Sequence, residues 1–267
     1  MKVISMRIAT SRLLTITAIL AVSVCMASLN IALAETPAGK KVSVKPPQSL
    51  MLLPKEQILA ENFSELPTKP WNLAKGEYQI NDGVLKVSEK PSDNHGAVIR
   101  VPVKLTDAII SYDIKLDGGK NTTLSINDPK GHNSRVSISM KAMQVRKDSH
   151  DHGQNDKAEL LDQGPVEIKQ GEWHNVTVEL HDAEIVAALD GQVVAFGEHS
   201  SINVEKSNVG LTVGGKENEA VSFRNFQIWS GTPNPEWDAR KKELRAIRPQ
   251  NNKVAAKKPA AKVDAAK

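Results

Sequence analysis

The chain has 267 residues, enough for one large domain or two small ones. Its net charge of +4 is unevenly spread: residues 1–34 carry +3, residues 238–267 carry +7, and the body between them is near −6. The basic character therefore belongs to the ends and gives the body no specific nucleic-acid signature, and no apolar stretch beyond the N-terminal one is long enough to span a bilayer.

Lys2, Arg7 and Arg12 precede an apolar run from Leu13 to Met26, and Ala32-Leu33-Ala34 offers a small-x-small cleavage site. The pattern predicts a signal peptide over 1–34 and a secreted or periplasmic mature chain. Thr15, Thr17, Ser23, Ser28 and Asn30 make the run a poor membrane anchor. Cys25, the sole cysteine, falls inside this segment, so the mature domain must be held by its core and not by disulfides. Residues 35–50, rich in Lys, Pro and Ala towards their start, read as a linker, and an all-β domain is expected over 51–231.

Met51-Leu-Leu53 begins ordered structure, and Ala60 to Phe63 is the expected first strand. Tyr78 to Ile80 and Val84 to Val87 flank Asn81-Asp82-Gly83, a hairpin signature. Ala97 to Val101 is expected to end at Pro102. Ile110, Tyr112, Ile114 and Leu116 alternate with polar residues, as do Leu124 and Ile126, Val136 to Met140, and Met143 and Val145. Such strands have one dry and one wet face.

A polar loop is read over Lys147 to Lys157, then a short strand at Glu159 to Leu161. Val176 to Leu180, Ile185 to Leu189 and Val193 to Phe196 follow, the last two joined at Asp190-Gly191. In the closing strand Val221 and Phe223 have odd parity but Phe226 and Ile228 even, which predicts a β-bulge at Arg224-Asn225. Trp173 and Trp229, at strand ends within the apolar pattern, are expected in the core. A short helix is expected within 232–248, capped near Thr232 or Asn234, and a disordered Lys/Ala/Pro tail over 249–267.

Gly171-Glu-Trp-His-Asn, the Ile185 to Phe196 hairpin, Val209-Gly-Leu and Phe223-Arg-Asn-Phe-Gln-Ile together resemble the 3-keto-disaccharide hydrolase domain family. The resemblance covers roughly Ala60 to Gly231. It implies a concanavalin A-like jelly-roll sandwich of two antiparallel sheets and an activity on 3-keto-glycosides. The middle of the chain departs from the family pattern. Arg135-Val-Ser-Ile-Ser-Met140 stands where Tyr-Glu is usual, and no catalytic residue is carried over.

The residues themselves offer three candidate sites. Arg135, Ser137, Ser139, Lys141, Gln144 and Arg146, with Thr123, Ser125 and Asn127, would form a hydrogen-bonding groove if their strands are neighbours. Such a groove suits sugar hydroxyls or an anionic glycan. It holds no aromatic on which a sugar ring would stack, and an ordinary exposed sheet face is the plainer reading. Asp148, His150, Asp151 and His132 are the candidate acids and bases. His150-x-His152, with Asp148, Asp151 and Asp156, is a candidate site for a divalent metal, and the turn from Asn127 to Asn133 a weaker one for calcium. Solvated loop residues are the plainer reading of both. No Glu-x-Asp-x-x-Glu of the jelly-roll glucanase type occurs.

The leading expectation is a non-catalytic module for carbohydrate or another cell-envelope polymer, with no required cofactor. The alternatives are a 3-keto-glycoside hydrolase and a structural envelope protein held by its basic tail.

Overall fold

Alternating side chains give each strand an apolar edge, and two antiparallel sheets bring those edges together. The computed structural model describes residues 45–150, 156–214 and 219–247. The signal peptide, the start of the linker and the basic tail read from the sequence lie outside the described residues. In chain order the strands are β1 (Leu52–Glu61), β2 (Asn72–Lys75), β3 (Glu77–Asn81), β4 (Val84–Ser88), β5 (Ala97–Leu105), β6 (Ala108–Asp117), β7 (Asn121–Asp128) and β8 (Gly131–Ser139). They continue as β9 (Ala142–Lys147), β10 (Glu159–Pro165), β11 (Trp173–His181), β12 (Glu184–Leu189), β13 (Gln192–Glu198), β14 (Lys206–Gly214) and β15 (Ala220–Pro233), before helix α1 (Trp237–Ile247).

Sheet A has the order β13-β12-β11-β6-β15-β4-β3, with β1 beside the second half of β15, and sheet B has the order β10-β9-β8-β7-β14-β5-β2. The chain passes repeatedly from one sheet to the other, which makes a jelly-roll β-sandwich. The inward side chains are those the alternation predicts: Ile110, Tyr112, Ile114 and Leu116 of β6 are sealed from solvent, as are Leu124, Ile126, Val136, Ile138, Met143 and Val145. Burying each such side chain stabilises the fold by about 1.5–3 kcal/mol. Aromatic rings fill one part of this interior, with Trp71 edge-on to Phe226 at 5.3 Å and Tyr112 at 5.8 Å from Phe226.

The hairpin turns follow their residues. Asp82-Gly83 and Asp190-Gly191 all have positive φ (48°, 75°, 50° and 76°), as two-residue turns matched to strand twist require. The bulge stands where parity demanded it. The β15–β6 register shifts between Arg224 and Gln227, Asn225 adopts φ 54°, and Phe223 and Phe226 are both buried.

Two boundaries differ from expectation. The first strand begins earlier, at Leu52, and Phe63 lies beyond its end with φ 53° and its ring in the core. β5 runs through Pro102 because β14 slips register opposite it, between Lys206 and Asn208. On the other side β2 pairs only with Val98 to Arg100, so no ladder there needs a Pro102 N–H.

A second, smaller apolar cluster covers part of the outer face of sheet A, where Met51, Val186, Phe196, Trp237 and Leu244 pack together. Glu179 organises it. Its buried carboxylate accepts the N–H groups of Leu50 (2.8 Å), Met51 (2.9 Å) and Leu52 (2.7 Å). Burial raises the Glu179 carboxyl above its usual range, and these three donors pull against that shift. Asn234 then ties α1 in, donating from its backbone to Met51 O (2.9 Å) and from Nδ2 to Leu50 O (2.8 Å). Among the described residues no helix is long and apolar enough to cross a membrane.

Glu179→Ala leaves three buried donors without an acceptor, each worth about 1–3 kcal/mol, and should lower unfolding free energy by about 3 kcal/mol or more in urea titrations. Amide exchange at residues 50–52 should accelerate in the same variant. Tyr112 has the opposite expectation, because its hydroxyl is fully buried with no hydrogen-bond partner among the described residues. Tyr112→Phe should raise stability by about 1 kcal/mol, and a loss of stability would show that the hydroxyl is satisfied.

Candidate functional site

The side chains of sheet B that point away from the core form cross-strand rows. One row runs Leu160, Arg146, Arg135, Ser125, Gly210 and Arg100 across β10, β9, β8, β7, β14 and β5. Beside it run Gln163, Gln144, Ser137, Thr123 and Thr212. Gln144 Nε2 donates to Gln163 Oε1 at 3.1 Å, and the Thr123 and Ser137 hydroxyls meet at 3.3 Å. A third row lies at the end of the sheet, where His132 Nδ1 is 3.0 Å from Asn127 Oδ1 and Asn127 Nδ2 donates to Asn208 Oδ1 at 2.6 Å. The expected neighbours Arg135, Ser137, Gln144 and Arg146 are thus brought together.

Ser139, opposite Asn121, and Lys141 lie beyond those two rows. Ser139 Oγ is engaged by Ala142 N and O, both at 3.1 Å, in the tight β8–β9 turn, and Lys141 is exposed in the turn itself. Arg135 Nε donates to Asp148 Oδ2 at 2.5 Å, so Asp148 serves as partner to the central arginine. Arg100, Gln163 and Thr212 join the face unforeseen. Their alternation was visible, but which strands lie beside β9 and β7 is set by long-range pairing.

The stretch read as a polar loop is in part a buried plug at the sandwich end. Lys147 and Asp148 are only 4% and 6% exposed. His150 lies between two carboxylates, with Nε2 2.8 Å from Asp128 Oδ2 and Nδ1 2.6 Å from Asp156 Oδ2. Asn133 Nδ2 donates to Asp128 (3.0 Å) and to Ser201 O (2.8 Å), and Lys147 pairs with Asp156. Burial opposes ionisation of Asp128. Hydrogen bonds from His150, the Lys130 N–H and Asn133, with the His150 charge, outweigh it and hold the carboxyl below its usual range. Asp151 and His152, named as candidate acid, base or metal ligand, lie outside the described residues. His150 is therefore bound into the plug by Asp128 and Asp156, while His132 belongs to the end row of the sheet face.

The outer face of sheet A holds a different polar group. Asp113 accepts from Arg224 Nε (3.0 Å), Asn225 Nδ2 (2.8 Å) and Asn175 Nδ2 (3.0 Å). Trp173, expected in the core, is partly exposed instead, with the Arg224 guanidinium 4.1 Å and Lys115 Nζ 5.1 Å from its ring centroid. Its parity puts it outside, and two cations cover the ring in place of the core. Trp229 is buried, but against Leu52 and Ile109 in a small cluster separate from the main core. Among the described residues, Asp107, His181 and Asp182 offer one donor atom each within 4.8 Å of one another, and His181 Nδ1 is 2.8 Å from Asp107 Oδ1.

The fold and this face define a jelly-roll module with one sheet surface open and polar. Residues 61–229 match the family model of the 3-keto-alpha-glucoside-1,2-lyase-like domain, and the chain belongs to that family. No curated protein matches it. Among solved structures it is similar to a protein of unknown function with a galectin-like fold from Bacillus subtilis, at 10% identity, covering 69% of this chain and 100% of that one with a TM-score of 0.53. It is also similar to a carbohydrate-binding module from the same organism (14% identity, 60% of this chain and 95% of that one, TM-score 0.48). LamAcat from Zobellia galactanivorans is a third (12% identity, 65% and 97%, TM-score 0.48). At these identities the likeness shows the fold alone.

Beside the plug, buried Lys206 donates to Ile202 O (2.5 Å) and Val204 O (2.6 Å). Burial pulls its ammonium down to about 8, against the pull of the Asp128 charge. The unfolded chain therefore holds this proton more tightly, and the stability lost to it below about pH 8 is regained as pH rises from about 8 towards 10.5. In thermal melts across that window the difference between wild type and Lys206→Met should move in favour of the wild type. A constant difference would show that Lys206 titrates alike in both states.

Proposed function

We propose that the chain binds carbohydrate on the outer face of sheet B and does so without turning it over. The observation that carries this reading is the side-by-side register of hydroxyl, amide and guanidinium groups across five strands, from Gln163 through Gln144, Ser137 and Thr123 to Thr212, with Arg135 and Arg146 alongside. Sugars present hydroxyls at comparable density, and a row of fixed donors and acceptors meets them with little reordering. The family to which the chain belongs is described by a 3-keto-alpha-glucoside, which agrees with a saccharide ligand. The N-terminal signal reading would deliver the module to the periplasm or the exterior, where envelope and environmental glycans are met.

A second reading, an enzyme acting on 3-keto-glucosides, is favoured by the same family description and by His150 beside two carboxylates. Elimination across C1 and C2 needs a base for the proton next to the ketone. The chain's nearest candidate has both ring nitrogens engaged by Asp128 and Asp156 at the sandwich end. That arrangement supports a structural role for His150 and leaves the sheet face to bind.

A glycan array followed by calorimetry on the best ligand tests the proposal. Ser137→Ala and Gln144→Ala should each weaken binding about five- to tenfold, as loss of one hydrogen bond of ~1 kcal/mol implies, with folding unchanged. Turnover of a 3-keto-glucoside by the wild type, abolished in His150→Ala but retained in Ser137→Ala, would replace this reading with the second.

A further inference from the structure

We infer that the polysaccharide this face takes is acidic, bearing carboxylate or sulfate groups, an inference that rests on the carbohydrate-binding reading above. Three arginines stand in one cross-strand row of sheet B. Arg135 and Arg146 are direct neighbours on β8 and β9, a like-charged pair that costs stability unless an anion compensates it. Asp148 compensates Arg135 alone. Among the described residues neither Arg146 nor Arg100 has an ion-pair partner, and Arg146 Nε is buried with no hydrogen-bond acceptor.

The backbone next to Arg100 is cleared for it. A Cβ at Gly210 would stand 3.0 Å from Arg100 Cγ, so the arginine stem leans across β14 in the direction of Ser125 and Arg135. Arg100 and Arg146 are four strands apart, about 19 Å at ~4.8 Å per strand, which is room for several sugar units between two anchored anions. The guanidinium fork fits a carboxylate or sulfate two oxygens at a time, and the hydroxyl and amide row beside it is left for the neutral part of the chain. No aromatic platform lies in either row, as suits a ligand held by charge and hydrogen bonds more than by ring stacking.

The test uses the full chain and four probes: polygalacturonate, a sulfated polysaccharide, a neutral β-glucan, and inorganic polyphosphate as a polyanion without sugar. Arg146→Gln and Arg100→Gln are the variants, because both leave the Arg135–Asp148 pair intact. The basic C-terminal residues contribute equally to the wild type and to each variant. The expected result is binding of at least one acidic polysaccharide that falls tenfold or more in each variant and weakens with salt, with polyphosphate bound at least tenfold more weakly. Which of the two acidic probes binds identifies carboxylate or sulfate as the recognised group. Equal affinity for the neutral glucan, or acidic binding unchanged in both variants, would overturn the inference. In that case a neutral glycan lost on Ser137→Ala keeps the carbohydrate reading. Polyphosphate bound as tightly as the glycans and equally sensitive to both variants would overturn it too, leaving only general polyanion attraction. Binding of none of the four probes counts against the acidic class, and a blank glycan array as well removes the parent reading.

Discussion

Everything in this molecule is arranged by the two-residue period of its strands about one dry interior. A strand that gives Ile110, Tyr112 and Ile114 to the core must present Ser111 and Asp113 on its other side, and no later folding event can change that partition. Where the sequence needs both parities inward the backbone takes up an extra residue. Asn225 does this in β15, allowing Phe223 and Phe226 to share the core, and β13 slips opposite Ala187 and Ala188 so that the consecutive Val194 and Ala195 both pack on the main core while Val193 and Phe196 flank them in the outer cluster.

The two outer faces produced by this partition meet different fates. On sheet A residues 50–52 and α1 are laid over β11, β12 and β13, and the attachment depends on Glu179. A buried carboxylate is costly in isolation, and three convergent backbone donors are what make it tolerable there. Further along the same face Asp113, Arg224 and Asn175 satisfy one another, and Trp173 lies under two cations. Among the described residues sheet B has no such cover. Its polar rows hold some mutual hydrogen bonds, Arg100 and Arg146 have no ion-pair partner among the described residues, and the candidate site is the sheet face that those residues leave uncovered.

How much of this was legible in the residues follows from what is local and what is not. Parity is local, so the inward residues of β6 to β9, the Asp82-Gly83 and Asp190-Gly191 turns and the Arg224-Asn225 bulge could be read directly. The motif from Gly171 to Ile228 carried the family. Pairing across distant strands is not local, which hid Arg100 behind an otherwise apolar strand and left the role of Gly210 beside it unseen. Burial of charged residues was hidden for a related reason. Lys147, Asp148 and His150 sit in a segment whose composition says loop, yet Asp128 and Asn133 converge on it from β7 and β8, and Asp156 from its own far end, and satisfy it. Trp173 shows the reverse error, since hydrophobicity put it inside while its parity, counted from Val176, put it out.

The plug and the sheet face are joined through one short chain of contacts. Arg135 holds Asp148, whose backbone N–H donates to Asn133 O at 2.7 Å, and Asn133 Nδ2 donates to Asp128, the partner of His150. An anion arriving between Arg135 and Arg146 would compete with Asp148 for the Arg135 guanidinium, and Asp148, 8% exposed at its side chain, has little water to turn to. The energetically favourable response is for Arg146, which has no ion-pair partner among the described residues to lose, to take the anion while Arg135 keeps its own. Within one row, the two neighbouring arginines thus divide their work. Arg135 fixes the corner of the sheet to the polar plug, and Arg146, without an ion-pair partner among the described residues, is the one placed to meet the proposed ligand.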